Sequence, residues 1–301
     1  MEEFIRFLEN RGFSLEKKLK GDASEREFYR LRKGGGSFVL MKFSGQGLDL
    51  QLRVHRFLSA ILPLPRIYDV FPSWRAILME DAGDLSLEEF LKKGGKWETI
   101  YRNLLSLIKA LQTYGSGLLP ENHPVKTRAL DRRRFTRELE FTYQHFIKGI
   151  SPVPETAWKE AFSELVSEID YGKMVPNHRD LHSRNIFLKD GRIFILDYQD
   201  CMMGPVPYDY VSLLRDNYIY FSPSQRRDFE RGLISENYIL VSLQRHMKAL
   251  GTFAYQIKRG KKYFSRYIPI TLKYLQEEIQ VKNLGFRSLV EREILHRVYD
   301  Y

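Results

Sequence analysis

The sequence contains a single cysteine, Cys201, in 301 residues. An intramolecular disulfide and a cysteine-based zinc site are therefore excluded, which fits a reducing compartment. No apolar run approaches the ~18 residues that a membrane helix needs. The opening Met1-Glu2-Glu3-Phe4 lacks the basic start and apolar stretch of a secretory signal, so a cytoplasmic location with no membrane partner is expected. Neither a Gly/Ser linker nor an internal repeat is visible, which predicts lobes sharing a hinge rather than tethered modules. Disorder and low complexity are excluded by a composition that is 43% hydrophobic and 14% aromatic.

Positive charge is in excess: 48 Lys and Arg against 38 Asp and Glu, a net +10. That balance suits anionic ligands, but it is equally the mark of a solvated basic surface. Two basic clusters stand out, one of Arg128, Arg132, Arg133, Arg134 and Arg137, the other Lys258-Arg259-Gly260-Lys261-Lys262. No nucleic-acid-binding signature accompanies either, so both read as surface and no nucleic acid partner is expected.

Hydrophobic periodicity divides the chain into residues 1–81, mostly β, and residues 82–301, mainly helical, which predicts an α+β class with two lobes. In the first part, residues 1–13 and 49–61 read as helices. Strands are expected at 26–32 and 37–43 around a Gly34-Gly35-Gly36 turn, and at 67–71 and 75–79. A hinge is expected at Met79–Gly83. In the second part, helical spacing runs through 86–93, 97–114, 131–147, 155–169, 208–220, 224–232, 234–258 and 265–281. One hairpin interrupts it, 186–189 and 192–196 around Asp190-Gly191.

The segment 178–200, HRDLHSRNIFLKDGRIFILDYQD, carries the chemistry. Asp180 and Asn185 lie five apart on a loop entering a strand, and Asp197 follows at the end of the next strand. The hairpin folds those strands together, so Asn185 and Asp197 converge. Two hard oxygen donors at one point suit Mg²⁺, which completes its shell with water and phosphate oxygens. Asp180 then faces an acceptor hydroxyl as base or orienting group. Singly, such residues are often helix caps or turn formers. Together at this spacing they point to phosphoryl transfer, which asks of a protein mainly metal, alignment and charge compensation.

The pattern HxDxxxxN, a strand, then Asp resembles the kinase superfamily, closest to its aminoglycoside phosphotransferase-like branch. The resemblance implies a bilobal protein-kinase-like fold that takes ATP and Mg²⁺ in the interlobe cleft. It implies Asp180 as catalytic base and Asn185 and Asp197 as metal ligands. Lys42, in Phe38-Val39-Leu40-Met41-Lys42, resembles the strand lysine that holds nucleotide phosphates. Gly21-Asp22-Ala23-Ser24 resembles the phosphate-covering loop, and Glu80, Asp81 and Ala82 the adenine hinge. His178, Arg179, His182 and Asp209 are expected to brace the catalytic loop. The family usually pairs the strand lysine with a helix glutamate. The helix 49–61 offers only Asp49 and Gln51 for that pairing.

A closer similarity is to bacterial anomeric kinases of N-acetylmuramate and N-acetylglucosamine in cell-wall recycling. It is carried by Gly21–Leu31, HRDLHSRN, Asp197-Tyr198-Gln199-Asp200, Gly204–Asp209 with Val211–Asp216, and Gln244–Gly251. It implies a small-molecule sugar acceptor met by Asp216, Arg245, His246 and Lys248. An aminoglycoside, a choline-like alcohol, another acceptor, or a non-catalytic nucleotide-binding role remain as alternatives.

Overall fold

The computed structural model describes residues 2–19, 26–280 and 285–299. The described chain forms two units: Met1–Leu87 with Asn185–Gln199, and Glu88–Arg184 with Asp200–Tyr301.

The first unit is built on an antiparallel sheet. Its elements are helix α1 (Glu2–Glu9), strands β1 (Ser14–Leu19), β2 (Arg26–Lys33) and β3 (Gly36–Phe43), helix α2 (Leu48–Leu58), and strands β4 (Ile67–Phe71) and β5 (Ala76–Glu80). The strand order is β1-β2-β3-β5-β4. Gly34 and Gly35, at φ 54° and 77°, make the two-residue β2–β3 turn, whose left-handed backbone only glycine adopts cheaply.

Strand alternation gives the sheet two apolar faces. On one, Tyr29, Leu31, Leu40, Ala76 and Leu78 pack with Phe4 and Leu8 of α1. On the other, Val39, Met41, Phe43, Ile77 and Met79 pack with Leu48 and Leu52 of α2. Strand β1 was not expected from the sequence. It is an exposed edge carrying Glu16, Lys17 and Lys18, and its charges hide the alternation while blocking further strand pairing.

The second unit begins with α3 (Leu87–Lys92), α4 (Glu98–Leu118), α5 (Arg132–His145) and α6 (Glu155–Glu168), followed by strand β6 (Met174–Asn177). The chain then makes the hairpin β7 (Ile186–Lys189) and β8 (Arg192–Ile195), which belongs to the first unit. There Leu188 N–H donates to Leu85 O and Ile195 N–H to Pro63 O, each at 2.9 Å. Strand β9 (Met202–Pro205) returns to pair with β6. Both β6 and β9 are four residues long and contain a proline, so neither leaves a strand signature.

Helices α7 (Tyr208–Leu214), α8 (Pro223–Glu230), α9 (Glu236–Lys258), α10 (Ile268–Glu278), α11 (Gly285–Val290) and α12 (His296–Tyr299) complete the chain. Several helices are shorter than their periodicity predicts, α7 and α10 among them. α7 stops at Leu214 rather than 220, because Asp216 turns the chain by accepting the Tyr218 N–H at 2.8 Å. The 265–281 segment opens with the 3-10 turn Lys262–Tyr267, and Pro269 sits in the first turn of α10. α11 packs on α6, with Phe286 on Phe162 and the Gly285 and Phe286 N–H groups donating to Glu164 at 3.1 Å.

Helix α9 crosses α5 at close range. Thr142 Oγ1 donates to Met247 O at 2.9 Å, and a Cβ on Gly251 would lie 2.5 Å from Thr142 Oγ1 and 2.6 Å from Thr142 Cα. Gly251→Ala should therefore cost about 1–3 kcal/mol of stability through overpacking. In α4, Gly117 has nothing within 4 Å of its added Cβ, so Gly117→Ala should be neutral or stabilising. Denaturant unfolding of both variants checks the pair, and equal stabilities would remove the close approach.

Candidate active site

In the second unit, the loop after β6 is fixed from behind by Asp209. This carboxylate is fully buried and accepts the N–H of His178 at 2.6 Å and of Arg179 at 2.9 Å. Asn177 Oδ1 in turn accepts the Asp209 N–H at 3.3 Å. Burial pushes the Asp209 carboxyl up to about 7, opposed by those two backbone donors. Arg179 sits at φ 81°, a left-handed conformation that costs a non-glycine residue on the order of 1–3 kcal/mol and marks functional sites.

Asp180 follows. Burial alone would raise its pKa, but the cations Lys248, Arg179 and Arg245 hold it well below the usual carboxylate range. Lys248 Nζ lies 3.8 Å from Asp180 Oδ1. Arg179 is oriented by Glu138 of α5 at 3.1 Å and by Asp200 at 3.7 Å, and Gln244 Nε2 donates to the other Glu138 oxygen at 2.9 Å. Glu138 had no sequence signal beyond its place on an amphipathic helix.

His182 packs on the Tyr218 ring, and burial pushes its pKa down to about 3, so the imidazole is neutral. Asp216 is fully buried, braces the loop by accepting the Ser183 N–H at 2.7 Å, and is raised to about 6 by burial. Arg184 is held against Tyr218, Tyr263, Phe264 and Tyr267 at 5.0–5.7 Å from their ring centres, with Glu88 at 3.6 Å.

Among the residues expected to meet an acceptor, the structure separates two pairs. Arg245 and Lys248 lie three apart on α9 and act together on Asp180. Arg245 Nη2 donates to Ser212 Oγ at 2.6 Å, while its buried Nε and Nη1 have no hydrogen-bond acceptor among the described residues. His246 and Asp216 are both engaged by protein partners. His246 is fully buried between Asn217 Oδ1 at 2.7 Å and Glu278 Oε1 at 3.2 Å, and it stacks on Tyr274. Both side chains point their polar atoms at protein partners and support the fold.

In the first unit, Asn185 and Asp197 flank the open end of the hairpin, where the Leu196 backbone N–H donates to Asn185 O at 2.8 Å. Asp197 is exposed and adopts φ 60°, again left-handed. Its Oδ1 accepts Arg26 Nη2 at 2.7 Å and Gln199 Nε2 at 3.0 Å. No cluster of three or more His, Cys, Asp or Glu forms a cation site among the described residues. One carboxylate and one amide suit a hard cation that arrives with its own phosphate and water ligands, so these residues fit Mg²⁺.

Among the residues expected at a hinge, the Asp81 carboxylate is held by Arg30 at 2.7 Å, by the Gly83 N–H at 2.9 Å and by Ser37. Lys189 Nζ donates to Asp81 O at 2.8 Å, and Glu80 pairs with Arg192 at 2.7 Å. Ala82 is buried. The expected Lys42 pairing is not formed with either helix residue. Gln51 accepts from Arg26 at 3.3 Å, and Asp49 faces Arg53 at 3.9 Å. Gly21, Asp22, Ala23 and Ser24 lie outside the described residues.

A model of the phosphotransferase enzyme family matches residues 16–243. The chain is 26% identical to an N-acetylmuramate/N-acetylglucosamine kinase of Neisseria meningitidis serogroup B, over 85% of this chain and 83% of that one. It is 27% identical to a kinase of the same name from Pseudomonas aeruginosa, over 86% and 82%. Among solved structures, aminoglycoside phosphotransferase APH(4)-Ia superimposes with a TM-score of 0.62 at 16% identity, covering 91% of this chain and 98% of that one. Choline kinase from Cryptosporidium parvum superimposes at 0.57 and 12% identity, covering 100% and 99%. These likenesses give the fold: a β-sheet unit and a mainly helical unit of the aminoglycoside phosphotransferase and kinase type. With the family model spanning most of the chain and the Asp180–Asn185–Asp197 order inside it, the chain belongs to the phosphotransferase enzyme family and is a kinase acting on an alcohol group.

Proposed function

We propose that this kinase transfers the γ-phosphoryl group of ATP, with Mg²⁺, to the anomeric hydroxyl of an N-acetylated amino sugar, N-acetylmuramate or N-acetylglucosamine. The observation that carries the acceptor is the charge around Asp180. Lys248, Arg245 and Arg179 all act on it, and Arg245 holds two buried donors with no acceptor among the described residues. Buried donors demand acceptors, and a cationic helix face suits a carboxylate or sugar oxygens rather than a polycation. The lactyl carboxylate of N-acetylmuramate supplies such an acceptor. The two bacterial relatives named for that activity support the same reading.

Asn185 and Asp197 would hold the metal, which, when bound, neutralises charge on the phosphate oxygens. Glu80, Asp81 and Ala82 are assigned to the adenine, and Gly21–Ser24 to the phosphates. Asp180 orients the sugar hydroxyl and accepts its proton as the oxygen bonds to phosphorus. With Asp180 ionised through the neutral pH range, its task is orientation first and proton acceptance late, as charge leaves the nucleophile. Arg179, Glu138 and Gln244 keep it aimed, and Asp209 fixes the loop that carries it.

An ATP-consumption screen with Mg²⁺ against N-acetylmuramate, N-acetylglucosamine, kanamycin and choline tests the assignment, with Asp180→Asn as blank. Turnover on the N-acetyl sugars, giving an acid-labile anomeric phosphate, is expected. Turnover on kanamycin or choline alone would overturn the acceptor. Asp180→Asn should lower kcat by about 10²–10⁴-fold while MgATP still binds, and near-normal turnover would sink its role. Arg245→Ala should raise the KM of N-acetylmuramate by about tenfold, the loss of one charge-assisted bond, and the KM of ATP by much less. The reverse order would move Arg245 out of the acceptor site.

A further inference from the structure

The partner of the strand lysine is missing from α2, and the register of the sheet explains why. In β3, Lys42 alternates with Met41 and Phe43, so it lies on the face of Leu40 that carries α1. Its directly opposed neighbour on β2 is Glu27, which pairs with Lys18. Helix α2 packs on the opposite face, through Leu48 and Leu52. A side chain of α2 therefore reaches a strand cation only on the Met41–Phe43 face.

Arg26 occupies that face. It stands opposite Phe43 in the β2–β3 register and its guanidinium is mostly buried. Nη1 donates to Gln51 Oε1 at 3.3 Å and to Gln199 Oε1 at 2.9 Å, and Nη2 donates to Asp197 Oδ1 at 2.7 Å. Gln51 is 1% exposed, so its amide is placed by packing rather than by solvent. Gln199 donates to the same Asp197 oxygen at 3.0 Å, which closes the arrangement.

We propose that Arg26, steered by Gln51 and Gln199, is the cation that holds the nucleotide phosphates beside Asp197, in place of Lys42. The proposal rests on the reading of this site as one for ATP and Mg²⁺. It accounts for the absent helix glutamate. A lysine on its flexible stem is commonly aimed by a carboxylate and can lose its charge when desolvated, whereas a guanidinium is always charged and its planar fork can be aimed by neutral acceptors. Gln51 and Gln199 direct Arg26 without adding negative charge, and its ion pair in this structure is with Asp197 at 2.7 Å. The planar fork also matches phosphate oxygens two at a time, which an ammonium does not. Asp197 and Arg26 then present opposite charges side by side, one to the metal and one to the phosphates.

Calorimetric titration of the full chain with MgADP and with adenosine tests this, on wild type, Arg26→Ala, Arg26→Lys, Lys42→Ala and Gln51→Leu. Thermal melts confirm that each is folded. Arg26→Ala should weaken MgADP by about tenfold or more, the loss of a charge-assisted bond, while adenosine affinity stays within about twofold. Arg26→Lys should recover part of the loss, and Gln51→Leu should weaken MgADP in the same sense by less. Lys42→Ala should cost less MgADP affinity than Arg26→Ala. Wild-type affinity for MgADP in Arg26→Ala, or a larger loss in Lys42→Ala, would overturn the proposal. An equal loss for adenosine and MgADP would also overturn it, since that is the mark of a general structural defect. Wild type that binds no MgADP would instead overturn the nucleotide reading beneath it. Should Arg26→Ala fail to fold, Arg26→Lys and Gln51→Leu carry the same comparison.

Discussion

One buried carboxylate organises the loop that carries Asp180. Asp209, at the start of α7, takes two successive backbone N–H groups, those of His178 and Arg179, and the left-handed turn at Arg179 depends on them. A left-handed arginine persists only where its surroundings over-determine it. Asp216, at the far end of α7, does the same for Ser183. Asp209 at the head of this helix and Asp216 just beyond its end thus hold the loop on both sides of Asp180.

Around that frame the charges are arranged in relays. Glu138 orients Arg179 with one oxygen and accepts from Gln244 with the other, which ties α5, α9 and the loop together. Lys248 reaches Asp180 from α9, and the α9–α5 distance is set by Gly251 against Thr142. Below this, Arg215, Glu230, Glu278 and His246 form a paired interior network with Ser242. Buried ions of this kind persist because each has a hydrogen-bonded partner.

In the first unit the deciding constraint is strand parity. Side chains alternate strictly across a sheet, so a shift of one position moves a cation from one face to the other. Lys42 and Arg26 are both basic strand residues ahead of Asp197, but only Arg26 shares a face with α2 and the Asp197–Gln199 turn.

The sequence alone determined what depends on local order. HRDLHSRN with its hairpin and Asp197 announced the phosphotransferase family, and the strong hydrophobic periods of α4, α5, α6 and α9 announced those helices. It also determined the Gly34-Gly35 turn, because two adjacent left-handed residues require glycine. It did not reveal β1, β6 or β9, whose charges, prolines and short length erase the alternation. Only the tertiary structure decided the roles of residues whose partners are remote. It turned His246 and Asp216 inward, brought Glu138 to Arg179 across 41 positions, and brought Arg26 to Asp197 across 171. Such pairings carry no local signature, because a side chain's partner across a sheet face or helix crossing is set by packing and register, which no stretch of neighbouring residues encodes.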